Sequence, residues 1–125
     1  MTTQDSGPCT ETDVVAIFNK ATHTCALCHD HTGSGAGLDL ETPGLAGRLL
    51  NKMPAGGGTT YVALSCDVGK IYLNKGSNPA TGYFLEKLNS ATPSCGVQMP
   101  FVGTKLNSTE LACVQSWANT VTTAP

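Results

Sequence analysis

The chain has little charge and few aromatic rings. Of its 125 residues, 13% are charged and 6% are aromatic: Trp117, Tyr61, Tyr72, Tyr83, Phe18, Phe84 and Phe101. Its seven basic residues (Lys20, Arg48, Lys52, Lys70, Lys75, Lys87 and Lys105) are scattered among nine acidic ones, for a net charge of -2. A nucleic-acid footprint needs clustered Lys and Arg, so nucleic acid is not an expected partner. Nowhere does an apolar run approach the roughly 20 residues that a membrane-crossing helix requires. Residues 1–8 are polar and lack the basic start and apolar stretch of a secretory signal. The expectation is that a signal or lipid anchor has been removed and that Met1 is a start residue added for expression. No internal repeat is visible, and no linker divides the chain.

What is present suits one small domain. The sequence is 40% hydrophobic, too apolar for a disordered chain, and its length fits a single core. Periodicity predicts four helices separated by Gly-rich loops. The first covers residues 13–21, with Val14, Ile17, Phe18 and Ala21 on one face and Thr10 or Thr12 as cap. The second covers 43–52, with Leu45, Leu49 and Leu50 apolar, and is stopped by Met53-Pro54 and the following glycines. The third covers 81–88, carrying Tyr83, Phe84, Leu85 and Leu88. The fourth covers 108–120, where Asn107 and Glu110 resemble a capping box. Its stripe is Leu111, Val114, Ala118 and Val121, flanked by Trp117. Residues 61–73 read as irregular.

Cysteine carries the chemistry. Six are present, and two lie in Cys25-Ala26-Leu27-Cys28-His29. This C-x-x-C-H pattern is that of covalent haem c attachment. One helical turn puts both sulfurs at one porphyrin edge, where each adds across a vinyl group. The adjacent His29 is then carried under the ring to bind iron. Zinc would need a fourth ligand, and the other histidines, His23 and His31, crowd the motif itself. A thioredoxin-like pair would want a βαβ surround, and none is visible. The remaining Cys9, Cys66, Cys95 and Cys113 read as two disulfides formed in an oxidising compartment, with buried free thiols as the alternative. For the second axial position of the iron, Met53 and Met99 are both available, and each precedes a proline.

These features resemble the class I c-type cytochromes. The likeness lies in a helix before Cys25-Ala26-Leu27-Cys28-His29, the Met99-Pro100 loop and a helix over the last apolar stripe. Among them it is nearest to small bacterial monohaem domains, often borne on lipoproteins, through Gly37-Leu38-Asp39-Leu40 and Cys95-Gly96-Val97-Gln98-Met99-Pro100. The resemblance covers about residues 14–119. The four extra cysteines and the long Gly-rich stretch 55–75 depart from the general pattern. The resemblance implies an all-α class I cytochrome c fold over residues 8–121, with loose ends at 1–7 and 122–125. It implies His29 and Met99 as iron ligands and one-electron transfer, rather than enzymatic turnover. It also implies redox protein partners docking at the exposed haem edge, in a bacterial periplasm or at the cell surface. In that fold the first and last helices cross, which would pair Cys9 with Cys113 and leave Cys66 for Cys95. Without Met99 as ligand, the rival expectation is a five-coordinate sensor or peroxidase-like enzyme, for which no distal histidine is evident. A third expectation is an electron-relay module of a larger oxidoreductase.

Overall fold

Thr10 decides where the first described helix begins. The computed structural model of the chain describes residues 9–20, 22, 40–52, 70–94, 98–100 and 104–124. Among these residues the regular structure is four helices with no strand: α1 (Glu11–Phe18), α2 (Leu45–Leu49), α3 (Tyr83–Asn89) and α4 (Ser108–Thr122). The Thr10 hydroxyl accepts the Asp13 N–H at 3.2 Å, and the Asp13 carboxylate accepts the Thr10 N–H at 2.9 Å. This reciprocal cap starts α1 two residues before the expected Asp13. Val14, Ile17 and Phe18 are its buried face.

Helix α2 is shorter than the pattern suggested. Gly44 precedes it at φ 94°, and no side chain at that position caps it. The cap comes instead from α1: the Glu11 carboxylate accepts Gly44 N–H at 2.8 Å and Ala46 N–H at 3.2 Å. At the other end Leu50 turns extended, Asn51 takes φ 55°, and Leu50 forms a single parallel bridge with Leu73. The Leu73 N–H donates to Leu49 O at 3.2 Å, and the Asn51 N–H donates to Leu73 O at 2.9 Å. The expected helix over 43–52 is therefore trimmed at both ends.

Glu11 also makes the α1–α2 junction sensitive to acid. Burial pushes its carboxyl upward. The backbone N–H groups of Gly44, Ala46 and Leu45, with the Arg48 charge, outweigh that and hold it below the ordinary glutamate value. A group whose folded pKa is depressed contributes stability above its unfolded pKa and loses it as pH falls through the folded one. Glu11→Gln is expected to cost about 1 kcal/mol at neutral pH, the typical worth of a cap. The gap to the parent should close as pH falls below the carboxylate range. Urea unfolding at stepped pH measures this, and a pH-independent gap would remove the charge from the explanation.

Helix α3 begins at Tyr83, two residues after the expected Thr81, because main-chain carbonyls cap it. The Tyr83 N–H donates to Ile71 O at 2.8 Å, and the Phe84 N–H donates to Tyr72 O at 3.0 Å. This brings the 71–73 segment onto Gly82, whose φ is 148° and where a Cβ would lie 2.1 Å from Tyr72 O. Only glycine fits there. Gly82→Ala is expected to destabilise the protein by at least about 2 kcal/mol, combining backbone clash with a disfavoured φ. Thermal or denaturant unfolding checks this, and a loss within 0.5 kcal/mol, as roughly expected of a surface change, would contradict the close approach. Residues 70–73 are irregular apart from the one bridge.

Helix α4 starts at Ser108, where Asn107 Oδ1 accepts Glu110 N–H at 2.8 Å and Glu110 Oε1 accepts Asn107 N–H at 3.0 Å. It runs to Thr122 rather than Thr120. Thr122 is buried, and its hydroxyl donates to Ser77 O at 2.7 Å. Residue 122 therefore belongs to the packed structure, not to a loose end. The buried face is Glu110, Val114, Trp117, Ala118 and Thr122. Trp117 lies within it rather than beside it, while Leu111 and Val121 are half-buried. The large indole offers more apolar area than the smaller chains it displaces from the centre.

The core gathers all four helices. Helix α1 packs on α4 and on α2, and α3 packs on α4. The Phe18 and Phe84 rings meet edge to face at 5.8 Å, which ties α1 to α3. Phe18, Leu45, Leu49, Leu73, Val14 and Val114 are fully buried. Two further ties fasten both ends of α1 to the first turns of α4. Cys9 and Cys113 form a disulfide with their Cα atoms 5.3 Å apart. Lys20 Nζ meets Glu110 Oε2 at 2.6 Å.

Candidate functional site

The carbonyls at the end of α3 set the position of Met99. A helix leaves its last carbonyls without helical partners. Here Lys87 O accepts the Met99 N–H at 2.7 Å, and Leu88 O accepts Gln98 Nε2 at 3.0 Å. On the far side, Lys105 Nζ donates to Pro100 O. Pro100 is buried, and Met99 is half-buried against the hydrophobic core. The Met99 main chain is thus strapped to α3 on one side and to the approach to α4 on the other.

A second contact links this strap to the residue three positions ahead of Cys25-Ala26-Leu27-Cys28-His29. The Thr104 N–H donates to Thr22 O at 2.8 Å. Thr22 precedes Cys25 by three positions, and Thr104 follows Met99 by five. The chain entering the motif and the chain leaving the strap are therefore hydrogen-bonded neighbours. Lys20, two positions before Thr22, is fixed by its ion pair with Glu110, whose other carboxylate oxygen is engaged at the α4 cap. One glutamate thus serves both the helix start and the approach to the motif.

Cys25, Cys28 and His29 lie outside the described residues, as do His23, His31, Met53, Cys66 and Cys95. Of the residues expected to form the site, Met99 is described, and of the expected cross-links, Cys9–Cys113 is described. Among the described residues no group of three His, Cys, Asp or Glu side chains forms a metal-binding cluster. The donor chemistry suits haem c: two thiols for thioether bonds, an adjacent imidazole, and a thioether at Met99 whose main chain is held on both sides. Gln98, Lys105, Thr22 and Thr104 did not stand out in the sequence. They bond to main-chain carbonyls or through their own main chain, and such partners leave no mark in residue type or spacing.

No family model, curated protein or solved structure matches the chain. Among the described residues no helix is long and apolar enough to cross a membrane.

Proposed function

We propose that the protein is a one-electron carrier with the class I cytochrome c fold. In this reading Cys25 and Cys28 would hold haem c through thioether bonds, and His29 and Met99 would ligate its iron. The observation that carries this is Cys25-Ala26-Leu27-Cys28-His29, a pattern that unites two thiols and an imidazole at the spacing of one porphyrin edge. Support comes from the bonds holding Met99 to the end of α3 and from the Thr22–Thr104 contact between the two arms of the site. Bound haem supplies a reversible one-electron iron couple, whose potential Met/His ligation raises. The protein's own part would be to keep His29 and Met99 in place through reduction and reoxidation. With both iron ligands supplied by protein, the bound group would exchange electrons with a protein partner rather than act on a small substrate. The Cys9–Cys113 disulfide fits a bacterial periplasm or cell surface.

The test is expression with haem maturation, followed by haem staining after denaturing electrophoresis. Colour should stay on the parent chain and vanish from Cys25→Ala/Cys28→Ala. Colour extracted from the parent by acid-acetone would reject covalent attachment. Rapid, stoichiometric carbon monoxide binding by the reduced parent would favour a five-coordinate sensor or peroxidase-like enzyme instead.

A further inference from the structure

Met99 lies between two side-chain clamps. Gln98 Nε2 donates to Leu88 O at 3.0 Å, and Lys105 Nζ donates to Pro100 O. Both donors are half-buried, and each bonds the carbonyl of a residue outside its own turn. The Met99 N–H, between them, is the main-chain tie, donating to Lys87 O at 2.7 Å. A thioether is a weak, neutral ligand, so its hold on a metal depends on how closely the chain keeps it in place. Three consecutive residues, each with its own anchor, leave that chain little freedom. Lys105 also lies one residue from Thr104, whose N–H holds Thr22 O at 2.8 Å ahead of the motif. One short segment, 104–105, thereby bonds the strap through one residue and the motif's approach through the next.

We propose that Lys105 and Gln98 are positioning residues for Met99, clamping its strap from both sides so that the thioether stays on the iron. This rests on the proposed His29/Met99 ligation. It adds that the ammonium of Lys105 and the amide of Gln98 set how often that ligand lets go. Both act through main-chain carbonyls, Gln98 on Leu88 O and Lys105 on Pro100 O. A charged donor on the Pro100 carbonyl makes a stronger bond than a neutral one, so Lys105 is the larger of the two.

The variants are Lys105→Met, which keeps the aliphatic stem and removes the donor, Gln98→Leu, and Lys105→Arg as conservative rescue. In holoprotein, Lys105→Met should weaken the far-red ferric band and speed carbon monoxide uptake by the ferrous form roughly tenfold, about one charged hydrogen bond's worth. Gln98→Leu should show a smaller change of the same sign, and Lys105→Arg should stay near the parent. Amide hydrogen exchange separates positioning from general loosening. The Met99 amide should lose protection in Lys105→Met while the Val114 amide in α4 keeps it. Equal loss at both amides would make Lys105 merely structural and overturn the proposal. So would a band and a carbon monoxide rate unchanged in both Lys105→Met and Gln98→Leu. If Lys105→Met does not fold, Gln98→Leu and Lys105→Arg decide alone: parent-like behaviour in Gln98→Leu overturns the proposal. A parent that retains covalent haem but lacks the far-red band refutes Met99 ligation itself, and the positioning role falls with it.

Discussion

If the proposed haem ligation by His29 and Met99 holds, Met99→Ala is expected to turn a ferrous form that scarcely takes up carbon monoxide into one that binds it stoichiometrically. It should also abolish the weak far-red band of ferric methionine ligation and lower the reduction potential. Met99 is half-buried against the core, and its main chain is tied to Lys87 O. Alanine keeps that tie and removes only the thioether, so the strap stays in place while the ligand is lost. Truncating a partly buried methionine costs roughly 2 kcal/mol, the lower end for a buried Met→Ala change. Circular dichroism of the variant must therefore accompany the spectra. Without the Met99 thioether the bound iron would have an open position for carbon monoxide and would lose a ligand that favours its reduced form. Met53→Ala should leave all three observables unchanged. The reverse pattern would transfer the ligand role to Met53, and unchanged spectra in both would leave the axial position to another residue.

The parts of this molecule that were legible from sequence are those whose cause is local. Asn107 and Glu110 cap α4 from within four residues, and the start at Ser108 follows from them directly. Thr10 and Asp13 do the same for α1, although Thr12 competes for the role on residue type alone. The parts that were not legible depend on distant main chain. Helix α2 takes its cap from Glu11, 33 positions away. Helix α3 starts where it does because Ile71 and Tyr72 present carbonyls across Gly82. Apolar spacing marks a helix but not where a remote carbonyl begins or ends it. Trp117 shows the same limit: a stripe drawn through Leu111 and Val121 missed the face that the indole fills. The Met99 strap joins both kinds. Met99 stands out by residue type beside a proline, while Gln98 and Lys105 bond backbone oxygens that any residue carries.

Cys9→Ser/Cys113→Ser is expected to lower the free energy of unfolding by about 3–5 kcal/mol, a large effect for a chain of this size. The two cysteines are 104 positions apart, so the bond closes nearly the whole chain into one loop. By the chain-entropy account, a closure of about 100 residues is worth roughly 4.7 kcal/mol, acting on the unfolded state. The folded state loses less, because nearby contacts hold the same junction. The Cys9 N–H donates to Ser116 Oγ at 3.1 Å, and Lys20 holds Glu110 at the other end of α1. The variant should therefore fold to a similar structure and unfold at lower denaturant. Its m-value should rise, because a chain without the cross-link exposes more surface when unfolded. Reduction of the parent gives an independent measure. If Cys9–Cys113 were the whole effect, dithiothreitol would bring the parent down to the variant and leave the variant unmoved. A further fall in the variant under dithiothreitol would point to a second bridge, the expected Cys66–Cys95. Unreduced peptide mapping then fixes the connectivity: a peptide joining Cys95 to Cys113 would overturn the pairing, and a stability loss under 1 kcal/mol, well below the roughly 2 kcal/mol floor typical of native disulfides, would show that the packing of α1 on α4 does the holding without it.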